Sequence, residues 1–195
     1  MNRNLPPILI VDDEQANLDG LEAVLSARYE VKQTTSAHEA LTLTQQHKVD
    51  LIITDQRMPE MLGTELLQAI FDRDTQERNT EELKTHEGDE RVDHLNILLT
   101  GYTDIDDLIT CINDGLLYRY LVKPWSPAEL LATVEQAFDK LKTDRELISQ
   151  HELLRREVEE RRRAQEELEV ALFELKRAQE TLIAQEKLRA LGEMV

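Results

Sequence analysis

Short apolar runs alternate with longer amphipathic stretches along the first two thirds of this chain of 195 residues. Four runs stand out: Ile8 to Val11, Leu51 to Ile53, Ile97 to Leu99, and Tyr120 to Val122. Each is too short for a helix and rich in Ile, Leu or Val, the pattern of strands buried on both faces of a parallel sheet. A fifth, weaker strand is expected over Tyr29 to Thr35. Amphipathic stretches fall between the runs at about 14–27, 37–47, 63–72 and 104–114. Capping boxes mark two helix starts, Ser36 with Glu39 and Ser126 with Glu129, the second with Pro127 at the first helical position. The resulting alternation predicts an α/β fold, a doubly wound sheet with helices on both faces.

Two stretches break the pattern. Asp72 to His94 is charged and almost free of aliphatic residues, and it is too long for an ordinary αβ connection of about 2–6 residues. It reads as an insertion that either extends the third helix or forms a loop. Farther on, 64 residues between Pro127 and Gly192 contain neither Gly nor Pro. At about 1.5 Å per residue they make a helix of nearly 100 Å, of which only the first turns can rest on a globule. Beyond those turns Leu147, Leu154, Leu168, Leu175 and Leu182 recur at multiples of seven, with Val158 and Leu172 at the complementary spacing. That is a heptad seam, and it predicts a parallel, homodimeric coiled coil. Glu152–Arg156, Glu157–Arg161 and Glu159–Arg163 are spaced for support within the helix. Arg161, Gln165 and Gln179 interrupt the seam, and after Leu182 the apolar phase moves to Ala184, Leu188, Leu191 and Val195. The expected division is a domain over 1–141, with its insertion at about 72–94, and a signalling helix over 142–195.

Charge narrows the function. The net charge of −17 lies almost wholly in residues 1–141, at −15, against −2 in residues 142–195. An acidic globule cannot displace the counterions of nucleic acid, which argues against direct binding to it. Cys111 is the lone cysteine, so no intrachain disulfide forms and a reducing compartment is expected. No signal peptide and no apolar run of about 18–20 residues is present, which leaves a cytoplasmic chain without a membrane span.

The candidate chemistry gathers at strand ends. Asp12 and Asp13 follow the first strand, and Asp55 follows the third, in Leu51-Ile-Ile-Thr-Asp-Gln-Arg-Met-Pro-Glu60. Carboxyl ends of parallel strands share one edge, where open α/β folds place their sites. Three carboxylates crowded there repel one another, and a hard divalent cation relieves that repulsion. Mg²⁺ suits the set, because it takes one or two carboxylates, keeps waters and completes its shell with phosphate oxygen. Thr100 ends the fourth strand and Lys123 the fifth, adding a hydroxyl and a compact cation. A carboxylate attacking phosphorus needs such groups around the equatorial oxygens.

On the motifs Val11-Asp-Asp-Glu14, Thr54-Asp-Gln-Arg-Met-Pro59, Leu99-Thr-Gly101 and Val122-Lys-Pro124, residues 7–141 resemble a response-regulator receiver domain of two-component systems. The resemblance implies a flavodoxin-like five-stranded parallel sheet of order 2-1-3-4-5. It implies Asp55 as phosphoacceptor, and Asp12, Asp13, Asp55 and the Arg57 backbone carbonyl as ligands of Mg²⁺. It implies Thr100 and Lys123 as the pair that senses the phosphoryl group, with Tyr120 as the aromatic switch. The implied partner is an upstream histidine kinase or phosphotransfer protein. The threonine and then the aromatic are expected to move, repacking the face made by the 104–114 stretch, the fifth strand and the long helix.

The last residues, Gln185-Glu-Lys-Leu-Arg-Ala-Leu-Gly-Glu-Met-Val195, resemble the segment leading into the dimerisation helix of histidine kinases. None of His38, His47, His86, His94 or His151 sits in a phosphoacceptor context, and no glycine-rich ATP loop is present. The expectation is the regulatory part of a receiver-first histidine kinase, a phosphorelay component that acts through its coiled coil. The alternative is a phosphorylation-switched dimeric adaptor whose coiled coil recruits a partner. A Mg²⁺-dependent phosphatase that turns over on Asp55 is disfavoured, because Arg57, not an acid, stands two residues on.

Overall fold

The computed structural model describes residues 5–82, 94–101 and 116–192. Nine elements fall within them: β1 (Pro7–Val11), α1 (Gln15–Leu25), β2 (Glu30–Thr34), α2 (Ala37–Gln46), β3 (Leu51–Asp55), α3 (Gly63–Glu82), β4 (Leu95–Thr100), β5 (Arg119–Val122) and α4 (Pro127–Gly192). The five strands form one sheet of order β2-β1-β3-β4-β5, every neighbouring pair parallel. This is the expected doubly wound arrangement. The helix expected over 104–114, Cys111 and His86 lie outside the described residues.

Alternation along the buried strands sorts the core into two layers, as a pleated sheet with both faces covered requires. Ile8, Ile10, Leu51, Ile53, Ile97 and Leu99 face the layer completed by Leu18, Leu21 and Leu25 of α1 and by Leu130, Val134 and Ala137 of α4. Leu9, Val11, Ile52 and Leu98 face the other, completed by Ala37 and Ala40 of α2 and Leu66, Leu67 and Ile70 of α3. The ring of Tyr29 stacks on Phe138 at 5.0 Å between centroids, and Arg28 pairs with Glu135. Arg145 donates to the nearly buried Asp50 at 2.7 Å, so α4 is still tied to the start of β3 at that point.

Helix starts follow the local chemistry in their serine caps. Ser36 accepts from the Glu39 N–H at 3.3 Å, and Ser126 accepts from the Glu129 N–H at 3.2 Å. Among the described residues neither start forms the reciprocal bond of a capping box, and at the first it is replaced. The Ser36 N–H goes to Thr34 Oγ1 at 3.1 Å, and that hydroxyl in turn donates to Glu39. The third helix runs ten residues past its expected end, to Glu82, taking in the first part of the 72–94 insertion. Arg73 anchors that extension by donating to Leu41 O at 3.1 Å and Thr44 Oγ1 at 3.0 Å on α2.

The chain divides into two compact units, Met1–Glu146 and Leu147–Val195. In the second unit Leu147, Leu154, Val158, Leu168, Leu172, Leu175 and Leu182 are each more than half exposed. Glu157–Arg161 and Glu159–Arg163 pair at 2.8 and 3.2 Å, while among the described residues the expected Glu152–Arg156 pair is not formed. No helix among the described residues is long and apolar enough to cross a membrane.

Ile53 is fully buried in the central strand. Its truncation to alanine is expected to cost about 2–5 kcal/mol, measured by urea unfolding of the whole chain. Leu168→Ala, on the exposed stripe, should leave the unfolding of the first unit where it was.

Candidate functional site

Strand register brings the chemistry to one edge. Val11 pairs with Thr54, Asp55 with Leu99, and Thr100 with Val122, so Asp12, Asp55, Thr100 and Lys123 end their strands within one residue of a common line. The side chains then meet. Lys123 Nζ lies 2.7 Å from Asp55 Oδ1 and 3.0 Å from Asp12 Oδ2. Carboxylate oxygens of Asp12, Asp13 and Asp55 all lie within 4.8 Å of one another. Thus a cation and three acids separated by up to 111 residues in sequence share one small volume.

Each member is held differently. Asp12 is fully buried, and its Oδ1 accepts from the Glu14 N–H at 3.0 Å and from Asn17 Nδ2 at 2.8 Å. Asp13 is exposed at the rim. Asp55 is 8% exposed, and its Oδ2 accepts from the Arg57 N–H at 3.3 Å. Burial pushes the Asp55 carboxyl above its ordinary range, and the Asp12 charge adds to that, against the bonds and charge of Lys123, which favour the anion. For Lys123 burial acts to lower the pKa, but the hydrogen bonds and charges of Asp55 and Asp12 outweigh it and raise the ammonium above its usual value. Its side chain remains about one third exposed, so an incoming anion can reach it. Thr100 is buried, its hydroxyl donating to Gly101 O at 3.1 Å, and the Lys123 N–H bonds to Thr100 O at 2.7 Å. Tyr120, 41% exposed, stands on β5 opposite Leu98. The Lys123–Pro124 peptide is cis.

The loop after Asp55 contains residues that sequence reasoning did not single out. Gln56 is buried and clasps the start of α3: its Oε1 accepts from the Thr64 N–H at 3.2 Å, and its Nε2 donates to Thr64 Oγ1 at 3.3 Å. Gly63 begins α3 hard against the acceptor strand. A Cβ there would sit 2.2 Å from Asp55 O and 2.8 Å from Leu98 Cδ1. A glycine opening an amphipathic stretch, eight residues after the candidate acceptor, was the available signal for a close backbone approach. Glu60 crosses to the start of α2, accepting from Ser36 Oγ at 2.8 Å and from the His38 N–H at 3.3 Å, with His38 Nδ1 at 3.1 Å. The His38 and Ser36 bonds hold its pKa down to about 2. Nothing in its spacing announced that contact.

The donor set fits a hard divalent cation. Oxygen ligands converge, their mutual repulsion is relieved only in part by Lys123, and the exposed Asp13 leaves one side open to water. A divalent ion held there would, together with the Lys123 ammonium, offer positive charge to an incoming oxyanion.

Comparisons with known proteins agree with this geometry. Residues 8–135 match the family described as response regulator receiver domain. The hydrogenase transcriptional regulatory protein HoxA of Cupriavidus necator is 33% identical over 132 residues, covering 68% of this chain and 24% of the relative. The sensor kinase CckA of Brucella abortus is 30% identical over 136 residues, covering 68% of this chain and 12% of that protein. Among solved structures, the signal receiver domain of an HD domain-containing protein from Pseudomonas fluorescens Pf-5 superposes with a TM-score of 0.59. It is 32% identical, with 72% of this chain and 99% of that one covered. The chain thus spans about a quarter of the length of the hydrogenase regulators it matches.

Two outcomes check the site's framework. Gly63→Ala forces the Asp55 backbone or α3 to move, and is expected to lower stability by about 1–3 kcal/mol in urea unfolding. In an NMR titration of side-chain carboxyls, Glu60 should titrate at about 2 and return toward 4.5 in Ser36→Ala with His38→Ala. The depressed value means its contribution is present above pH 4.5 and fades as pH falls through about 2.

Proposed function

The chain belongs to the response regulator receiver domain family, and from that premise we propose that Asp55 accepts a phosphoryl group and that α4 passes the signal on as a dimer. The observation that carries the first half is the position of Lys123 Nζ, within bonding distance of both Asp12 and Asp55. An upstream histidine kinase or phosphotransfer protein supplies the group from a phosphohistidine. A carboxylate oxygen of Asp55 forms a bond to phosphorus as the P–N bond breaks, and the imidazole leaves and takes up a proton. Burial makes the Asp55 anion less comfortable than in water, while Lys123 keeps it charged and ready to attack. Asp12, Asp13, Asp55 and the Arg57 carbonyl are the residues to hold Mg²⁺, which supplies charge neutralisation for the transferred group.

The acyl phosphate adds a charge of about −1.5 to −2 beside Lys123 and Thr100. Charge-assisted bonds to both follow. Drawing the Thr100 hydroxyl from Gly101 O toward the phosphoryl oxygens vacates space beneath β5, and the half-exposed Tyr120 is the side chain able to follow it inward. Its neighbour Leu121 packs in the same layer as Leu130, Val134 and Ala137 of α4, and through that layer the change reaches the helix that carries the leucine seam.

For the output, a homodimeric parallel coiled coil through 142–195 is the reading that gives the exposed leucines a partner. The relatives combine a receiver of this kind with unlike remainders, a transcriptional regulator in one and a sensor kinase in another. The ending Gln185 to Val195 favours the regulatory part of a histidine kinase, in a reducing cytoplasm and without direct contact to nucleic acid. The adaptor reading keeps the same switch and differs only in what the coiled coil recruits. A longer reading frame with a phosphoacceptor histidine and an ATP-binding region selects the kinase.

Incubation with acetyl phosphate and Mg²⁺, followed by intact mass, should show one added phosphoryl group. It should be absent in Asp55→Asn and in EDTA, and strongly reduced in Asp13→Asn. Full labelling of Asp55→Asn would remove Asp55 as the acceptor.

A further inference from the structure

The exposed leucines of α4 belong to two seams. Leu168, Leu175 and Leu182 form one row, spaced by seven. On one side of it, four residues on from each preceding leucine position, lie Val158, Gln165, Leu172 and Gln179. On the other side, three residues on, lie Ala164, Ala171 and Ala178. Either flank completes an alternating three-and-four spacing with the same leucines, which is all that a coiled-coil seam requires. The first seam runs back through Val158 to Leu154 but takes in Arg161, Gln165 and Gln179. The second covers only 164–182 and contains no polar residue there.

The two seams are closely balanced. The first gains Leu172, a large side chain now more than half exposed, and buries two glutamine side chains. The second leaves both glutamines in water and fills its second row with alanines, which bury less but let the helices approach. One additional leucine therefore stands against two buried amides. Two of the polar residues of the first seam have partners on their own helix: Arg161 donates to Glu157 at 2.8 Å, and Gln165 to Glu169 at 3.2 Å. They can leave the contact without being stranded. Moving from one flank to the other rotates each helix by about 50° at 3.5 residues per turn.

A second copy of this chain is the occupant that fits. A seven-residue repeat calls for a supercoiled helical partner, and in a parallel pair the shared leucine row meets itself. In the first seam such a pair also sets Glu157 of one helix against the position of Arg162 on the other, five residues on, an attraction across the flank. We propose that two copies pair through the leucine row of α4 and that receiver state selects which flank, 165–172–179 or 164–171–178, completes the contact. The proposal rests on the dimeric reading above and adds its geometry.

The test uses the 195-residue chain with Cys111→Ser and single cysteines at Ala171, Ala178, Leu172 or Gln179. Each is oxidised with Mg²⁺, with and without beryllofluoride as the phosphoryl mimic. Fluorine NMR reports occupancy of Asp55, and sedimentation reports the dimer. Expected is a severalfold change in crosslinking at 171 and 178 on adding the mimic, opposite in sign to the change at 172 and 179. Asp55→Asn should abolish the response. Gln165→Leu with Gln179→Leu should hold the first seam, so that crosslinking at 172 no longer responds.

A dimer with bound mimic and an unchanged ratio overturns the two-seam proposal alone, as does a response that survives the double leucine substitution. A monomer overturns the coiled coil itself, and absent fluoride signal overturns the acceptor reading. Either takes the proposal with it.

Discussion

The Lys123 ammonium, seated between the carboxylates of Asp12 and Asp55, is the interaction on which the rest of the structure turns. Without a cation there, two largely buried acids would face each other at the edge of a sheet, at a cost that grows as the local dielectric falls. With it, the carboxylates of Asp12, Asp13 and Asp55 lie within 4.8 Å of one another, and the edge keeps the oxygen ligands that a divalent ion would need. The same lysine is only partly buried, so it can exchange an Asp55 oxygen for a phosphoryl oxygen without leaving its place. On the proposed reading, the response to phosphorylation draws on an ion pair that already exists.

Backbone behind the acceptor limits what can move. The absent side chain at Gly63 lets α3 begin against the Asp55 carbonyl, and Gln56 fastens the first turn of that helix from the acceptor's own loop. Glu60 ties the far end of the loop to α2, where its negative charge also meets the positive end of the helix dipole. Asp55 and Arg57 are thus fixed on one side, while on the other Tyr120 is half exposed and Thr100 is buried. The proposed switch would draw on this contrast between a rigid receptor for the charge and a more exposed side chain to register it.

Most of the fold was legible because strands buried on both faces need continuous apolar runs, and helices between them need an apolar stripe. Those two patterns cannot be confused over Ile8–Val11 or Leu51–Ile53. The site was legible because its acids, hydroxyl and cation each end a strand, and a parallel sheet sends all strand ends to one edge. What escaped was set by contact. The extension of α3 to Glu82 is anchored by Arg73 reaching across to α2, and a charged, aliphatic-poor segment gives no stripe by which to see it. Glu60 with His38, and Gln56 with Thr64, join residues whose spacing carries no periodic signal. Thr34 displaced the expected reciprocal cap at Ser36 because a neighbouring hydroxyl reached the same N–H first.

Continuity of α4 decides how a change at β5 can be read farther along the chain. Residues Leu130, Val134, Ala137 and Leu141 are buried in the first unit, while the leucine row from Leu147 onward is exposed in the second, on one unbroken helix. A helix carries rotation and translation about its axis with little loss, because each turn is bonded to the next. It has no Gly or Pro between Pro127 and Gly192 at which to absorb either. On the proposed reading, a disturbance of the buried face reaches the exposed one along that helix. An interface with a single deep minimum would resist such a displacement. On the proposed pairing, one whose leucines are shared by two flanks of similar strength can yield to it, and the polar residues in the first seam, a defect in a purely stabilising contact, make the second seam competitive.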